Sequence, residues 1–293
     1  MTTSRDNIEG TLTAPYFHRR WDNNDIDELK DSGFNGVVFC LREEHVGGSQ
    51  SASDMNSVVS HAKSLGMETE IDLWGFGGVF GGEADSQFNA SNPACYHRSE
   101  FRKLLSDGVK LSASLKPDGM FWDEAHFKDC RSCENNSELQ LLTDYAQIAH
   151  ESYGLRNAVC LTSNQANMGK LAALAALPQI HQIETDPYYS NYPGEHDAPD
   201  IYVAGYSQQV RSIATEHGKQ SRIWVQGFEL QSGWEDIPER AATAAINQGI
   251  RKIGFWACHN WSSANIDHGY PGIVPANNAA VMAQSHKISL QLH

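Results

Sequence analysis

Two short segments place acidic side chains where acid–base and nucleophilic chemistry is possible. In Met120-Phe-Trp-Asp-Glu-Ala-His-Phe127, an apolar run passes straight into Asp123 and Glu124, with His126 two residues on. Charge emerging directly from a buried run is costly unless it is paired or used. In Gln182-Ile-Glu-Thr-Asp-Pro-Tyr-Tyr189, Glu184 and Asp186 share one face by two-residue alternation, and Pro187 stops the run directly after Asp186. One carboxylate can attack carbon or activate water. A second carboxyl group, kept protonated by neighbouring acids, can hand a proton to a leaving oxygen. A single acid at the start of a loop serves as readily as a helix cap or a solvated charge, so the weight rests on recurrence.

The elements that must position these acids repeat in order. Short β-branched or aromatic runs, read as strands, fall at Leu12–Phe17, Gly36–Leu41, Glu70–Trp74, Gly119–Asp123, Ala158–Thr162, Ile183–Asp186, Ile223–Phe228 and Ile253–Cys258. Between them lie helical patterns over Asp25–Asp31, Ser53–Leu65, Arg98–Leu115, Ala166–Leu177, Ile201–His217 and Ile237–Gln248. Another helix repeats at Leu139, Leu142, Tyr145, Ile148 and Ala149, and a last one runs over Pro275–His286. Glycines at 33, 66, 154, 218 and 249 mark helix ends. About eight strand–helix units imply an α/β fold, a single (β/α)8 barrel spanning 1–293 with parallel neighbouring strands. The first strand runs into His18-Arg-Arg-Trp21 rather than a phosphate-binding glycine turn, which argues against an open doubly wound sheet.

In such a barrel the chemistry gathers where strands end. Those ends supply His18 after the first strand, Arg42 after the second, and Asp72 with Trp74 on the third. The fourth gives Asp123, Glu124 and His126, and the fifth Asn164. The sixth gives Glu184 and Asp186 followed by Tyr188 and Tyr189, the seventh Gln226 and Glu229, and the eighth His259 and Trp261. The opposite ends read as ordinary turn residues such as Asn35, Gly119 and Lys252.

An acid pair closing the fourth strand, an acid closing the sixth, and tryptophans at the third and eighth resemble the TIM-barrel glycoside hydrolases. The Trp-Asp ending of the fourth strand with Asp186 after the sixth is similar to the retaining α-galactosidase-like clan. That resemblance implies Asp123 as nucleophile, Asp186 as acid/base, and retention through a covalent glycosyl intermediate. A rival mapping follows the β-glycosidase and cellulase clan, with Glu124 as acid/base and Glu229 as nucleophile; Asp123 stands there in place of the clan's Asn. Trp74, Tyr188, Tyr189 and Trp261 suit stacking on sugar rings. His18, Arg42, Asp72, His126, Asn164, Glu184, Gln226 and His259 suit hydrogen bonds to hydroxyls.

Bulk properties narrow the alternatives. A formal net charge of −14 disfavours nucleic acid and anionic membrane surfaces and is compatible with an oligosaccharide or other small-molecule substrate. The amino terminus lacks the apolar run of a signal peptide, which favours a cytoplasmic reading, although a mature secreted chain would look the same. Cys130-Arg-Ser-Cys133, with Cys95 and His97, offers a weak zinc pattern beside the alternatives of a local disulfide or plain thiols. The His-x-His pair of barrel amidohydrolases and a His-Glu-x-x-His motif are missing, and no cofactor is expected. Two other classes stay open: a non-catalytic carbohydrate-binding barrel, and a metal-dependent lyase or hydrolase using Asp72, Asp123, His126 and Glu184.

Overall fold

The computed structural model describes residues 10–16, 22–42, 52–75, 99–123, 137–189, 199–227, 230, 236–256 and 275–292. Eight strands close into a parallel barrel in chain order. They are β1 Thr11–Tyr16, β2 Gly36–Arg42, β3 Glu68–Gly75, β4 Gly119–Trp122, β5 Arg156–Thr162, β6 Gln182–Asp186, β7 Gln220–Gln226 and β8 Lys252–Trp256. Between and after them come α1 Asn23–Asp31, α2 Ala52–Ser64, α3 Ser99–Ser114, α4 Ser137–Tyr153, α5 Gln165–Ala175, α6 Pro199–His217, α7 Ile237–Asn247 and α8 Pro275–Leu292. This is the (β/α)8 barrel expected from the alternation of patterns. None of the described helices is long and apolar enough to cross a membrane.

Two-residue alternation gives the barrel two separate cores. Outward residues such as Val37, Phe39, Ile71, Val159, Ile223 and Phe255 join the helices in one continuous apolar layer. Inward residues Val38, Cys40, Phe121, Ala158, Cys160, Trp224 and Trp256 form a second cluster inside the ring. Helix ends use the glycines as expected. Gly33 has φ +94, and the backbone N–H of Phe34 reaches back to the Leu29 carbonyl at 3.1 Å. Gly249, at φ +84, closes α7. Both lie in the left-handed region that side chains resist.

Several strands begin earlier than the apolar pattern suggested, and the reason is buried charge. β3 starts at Glu68, β5 at Arg156, β7 at Gln220 and β8 at Lys252. Lys252, expected to be a turn residue, is 4% exposed and donates to both oxygens of Glu68 at 2.8 Å. Arg156 adds a third contact to Glu68 at 2.8 Å. The last helix also runs six residues beyond its expected end at His286, to Leu292, with Ile288 and Leu292 buried against the barrel.

Inward side chains of a tilted, closed barrel sort into levels contributed by alternate strands. Following the strand register from the amino ends, Glu68, Arg156 and Gln220 share the lowest level, with Gln182 and Lys252 above them. Thr13, Glu70, Ala158 and Arg222 come next, then Val38, Phe121, Glu184 and Gly254. Asp72, Cys160 and Trp224 follow. Cys40, Asp123, Asp186 and Trp256 lie at the carboxyl ends.

Candidate active site

The carboxyl-end level unites residues from four alternate strands. Asp186 closes β6 and is 5% exposed. Asp123 directly follows β4 and is half-buried. One strand, β5, separates the two, so their backbones stand about 10 Å apart at ordinary strand spacing. Trp256 shares the level, and Tyr188, half-buried, packs on the inner aromatic cluster.

Beneath this level lies a floor of stacked aromatic and charged groups. The Trp224 ring is 5.2 Å from Phe121 and 6.1 Å from Trp256, and Trp224 is 1% exposed. Its indole N–H donates to Glu184 Oε2 at 2.6 Å. Arg222, below, donates to Glu184 at 2.7 Å, to Glu70 at 2.6 Å and to Thr13 at 3.3 Å. Its guanidinium carbon also lies 4.8 Å from the Trp224 ring centre and 5.2 Å from that of Phe121. Burial opposes the charge on Arg222, but Glu184 and Glu70 outweigh it and hold its pKa above the ordinary value. One cation thus serves two carboxylates. Burial, aided by Glu68 and Glu184 and opposed by Arg222, pushes Glu70 upward.

Two residues expected to bind hydroxyls have partners within the fold itself. Glu184 is fully buried, with one oxygen taken by the Gln182 amide and the other by Arg222 and Trp224, so it belongs to the barrel interior. Asn164 caps α5, its side-chain oxygen accepting the Asn167 backbone N–H at 2.9 Å. Tyr189, expected to stack on sugar, is fully buried in the layer between sheet and helices. Its hydroxyl donates to the Gln226 carbonyl at 3.3 Å, and burial raises its pKa.

The remaining candidates divide plainly. Asp72 lies one level below Asp123 and is 1% exposed, and Gln226, at the end of β7, is fully buried. Arg42 and Trp74 belong to β2 and β3. His18, Glu124, His126, Glu229, His259 and Trp261 lie outside the described residues, as do Cys95, His97, Cys130 and Cys133. Among the described residues, no group of three or more His, Cys, Asp or Glu is arranged to hold a metal ion. Sequence reading missed Arg222, Glu70 and Trp224. Arg222, Trp224 and Gln226 do alternate in Ser221-Arg-Ile-Trp-Val-Gln226, but a strand begun at Ile223 left the arginine outside it.

A closed ring of eight parallel strands wrapped by helices, with acids at its carboxyl ends, defines the class: a (β/α)8 barrel of the kind that supports many enzyme chemistries. Solved structures sharing the fold include an endo-β-1,4-mannanase from Thermotoga petrophila. It is 12% identical, with a TM-score of 0.63, over 96% of this chain and 77% of that one. An endo-1,4-β-mannanase from Rhizomucor miehei aligns at 12% identity and TM-score 0.62, covering 96% and 95%. A family 5 xyloglucanase from Paenibacillus pabuli aligns at 13% identity and TM-score 0.61, covering 94% and 92%. At such identities the likeness is one of fold. No protein-family model and no curated protein matches the sequence.

Proposed function

We propose that the protein is a glycoside hydrolase acting on an oligo- or polysaccharide, with Asp123 and Asp186 as its working carboxyl groups. The reading rests on one observation: by strand register the two acids share one inward level at the carboxyl ends, on strands separated by a single neighbour. That spacing suits carboxyl groups roughly 5–10 Å apart, the range glycoside hydrolysis uses. Asp123 attacks the anomeric carbon while Asp186 gives its proton to the departing glycosidic oxygen. A glycosyl ester on Asp123 results. Asp186, now ionised, takes a proton from water as that water attacks the same carbon, releasing the sugar and restoring both acids. Tyr188 and Trp256 offer apolar faces beside the acids, and Asp72 lies just beneath them.

A second assignment, Glu124 with Glu229, is favoured by the likeness in fold to β-1,4-mannanases and a xyloglucanase. The test is turnover on a panel containing β-1,4-mannan, xyloglucan, α-galactosides and aryl glycosides. Asp123→Asn and Asp186→Asn each lower kcat by about 10³-fold with sugar binding retained, whereas Glu124→Gln and Glu229→Gln stay within about tenfold. The reverse pattern moves the chemistry to the glutamate pair. A parent protein that binds sugar yet cleaves nothing on the panel overturns the hydrolase reading in favour of a binding barrel.

A further inference from the structure

A cavity opens at the amino-terminal end of the barrel, opposite the two acids. It is partly open, with a volume of about 320 Å³, and its walls include Glu68, Glu70, Arg156, Gln182, Lys219 and Gln220. Since a water occupies ~30 Å³, the space holds on the order of ten water-sized groups. The floor of Arg222, Phe121 and Trp224 lies between this cavity and the acids at the other end, so the two sites are separate.

The polar groups on its walls are incompletely satisfied. Glu70 is 5% exposed; Arg222 holds its Oε2, and among the described residues no hydrogen bond reaches Oε1. Gln182 is 3% exposed; its amide nitrogen goes to Glu184, and among the described residues no hydrogen bond reaches its Oε1. Two bare acceptors thus line the inner part of the cavity, at the second and third levels from the amino end. Nearer the opening, Arg156 spends Nε on the Asp118 carbonyl and Nη2 on Glu68, leaving Nη1. Among the described residues Lys219 makes one hydrogen bond, to the Leu177 carbonyl at 2.9 Å, leaving two of its three donors.

Charge points the same way. Glu68 pairs with Arg156 and Lys252, and Arg222 pairs with Glu70 and Glu184, so across these two clusters the three acids and three cations balance. Lys219 stands outside them as an additional cation. His181, also on the wall, is held neutral: burial, with His150 and Lys219 nearby, brings its pKa down to about 4, and its Nδ1 accepts the Asn157 N–H.

We infer that the amino-end cavity is a binding site for a small zwitterion of the α-amino-acid type. The ammonium donates to Glu70 Oε1 and Gln182 Oε1, and the carboxylate meets Arg156 and Lys219. A donor-rich inner end and an anionic outer end satisfy all four groups at once. A simple anion would face the carboxylate of Glu70, and a simple cation would face Lys219.

The experiment is a thermal-shift and calorimetric titration of the full chain. Its probes are the free α-amino acids, their N-acetyl and carboxamide derivatives, and neutral monosaccharides. At least one free amino acid raises Tm by about 5 °C at a hundredfold excess over Kd, and capping either end abolishes the shift. Lys219→Ala weakens binding about tenfold, the loss of one charge-assisted contact. Gln220→Trp, which fills the opening, abolishes binding while the far-ultraviolet spectrum is retained. Asp186→Asn, at the other end, leaves it unchanged. No shift with any amino acid, a shift unaffected by Gln220→Trp, or binding of monosaccharides in place of amino acids overturns the inference. None of these results depends on whether the opposite mouth cleaves glycosides.

Discussion

Arg222 holds a full positive charge at 1% side-chain exposure, and both of the acids it serves are buried as well. Removing such a cation does more damage than the pair's net worth suggests, because each abandoned carboxylate keeps its desolvation cost. Arg222→Met is therefore expected to lose about 3–5 kcal/mol in urea unfolding, a Tm drop on the order of 10 °C. Asp123→Asn, at a half-buried strand end, is expected to change stability by under about 1 kcal/mol. A barrel that tolerates Arg222→Met as well as Asp123→Asn would show that the network is dispensable. At this scale the sequence was only partly legible. The strand-end placement of Asp123 and Asp186 was visible because apolar runs precede both and a proline follows Asp186. The partners of Glu184 were not legible, because Arg222 and Trp224 lie 38 and 40 residues away. Nothing local distinguishes an acid facing solvent from one facing a distant guanidinium.

Strands and helices were more legible, since periodicity is a local property. All eight strand–helix units stand where the pattern put them, and the larger errors are at the amino ends of β3, β5, β7 and β8 and at the end of the last helix. An apolar criterion begins β3 at Glu70 and β8 at Ile253, whereas the ladder begins at Glu68 and Lys252 because those two charges neutralise each other inside the ring. Gly254 on β8 shows a different element-level constraint. A Cβ added there would come within 2.3 Å of the Trp224 ring, so the bare backbone makes room for the indole. Gly254→Ala is expected to cost about 1–3 kcal/mol through displacement of Trp224, read as lower urea resistance and altered tryptophan fluorescence. Gly169→Ala, on α5 with open space around its Cβ, is expected to be neutral or stabilising by a few tenths to about 1 kcal/mol. Equal effects at the two positions would dismiss the packing argument.

The whole molecule should weaken in acid over two windows. His181 titrates at about 4 in the folded state against an ordinary 6.5, so the unfolded chain binds its proton first. The stability it supplies is complete above pH 6.5 and is lost as the pH falls to about 4. Burial alone would raise Glu68, but Lys252 and Arg156 overcome it and bring the carboxyl down to about 2 from 4.5. Its contribution is present above pH 4.5 and is lost toward pH 2. Tm measured from pH 7 to pH 2 is expected to fall through both windows. His181→Asn, which keeps an acceptor for the Asn157 N–H, should flatten the upper one alone. A flat Tm between pH 6.5 and 4 in the parent would count against a neutral buried His181.

The packed centre of the barrel has a consequence for traffic. Phe121, Arg222 and Trp224 are each at most 1% exposed and interlock across the axis, so no solvent file joins the two rims. The axis is a bulkhead. Whatever is consumed at one rim must arrive and leave by that rim. Any message between the ends must travel as a shift of shared side chains, with Glu184 as the rivet between Arg222 on one side and Trp224 on the other.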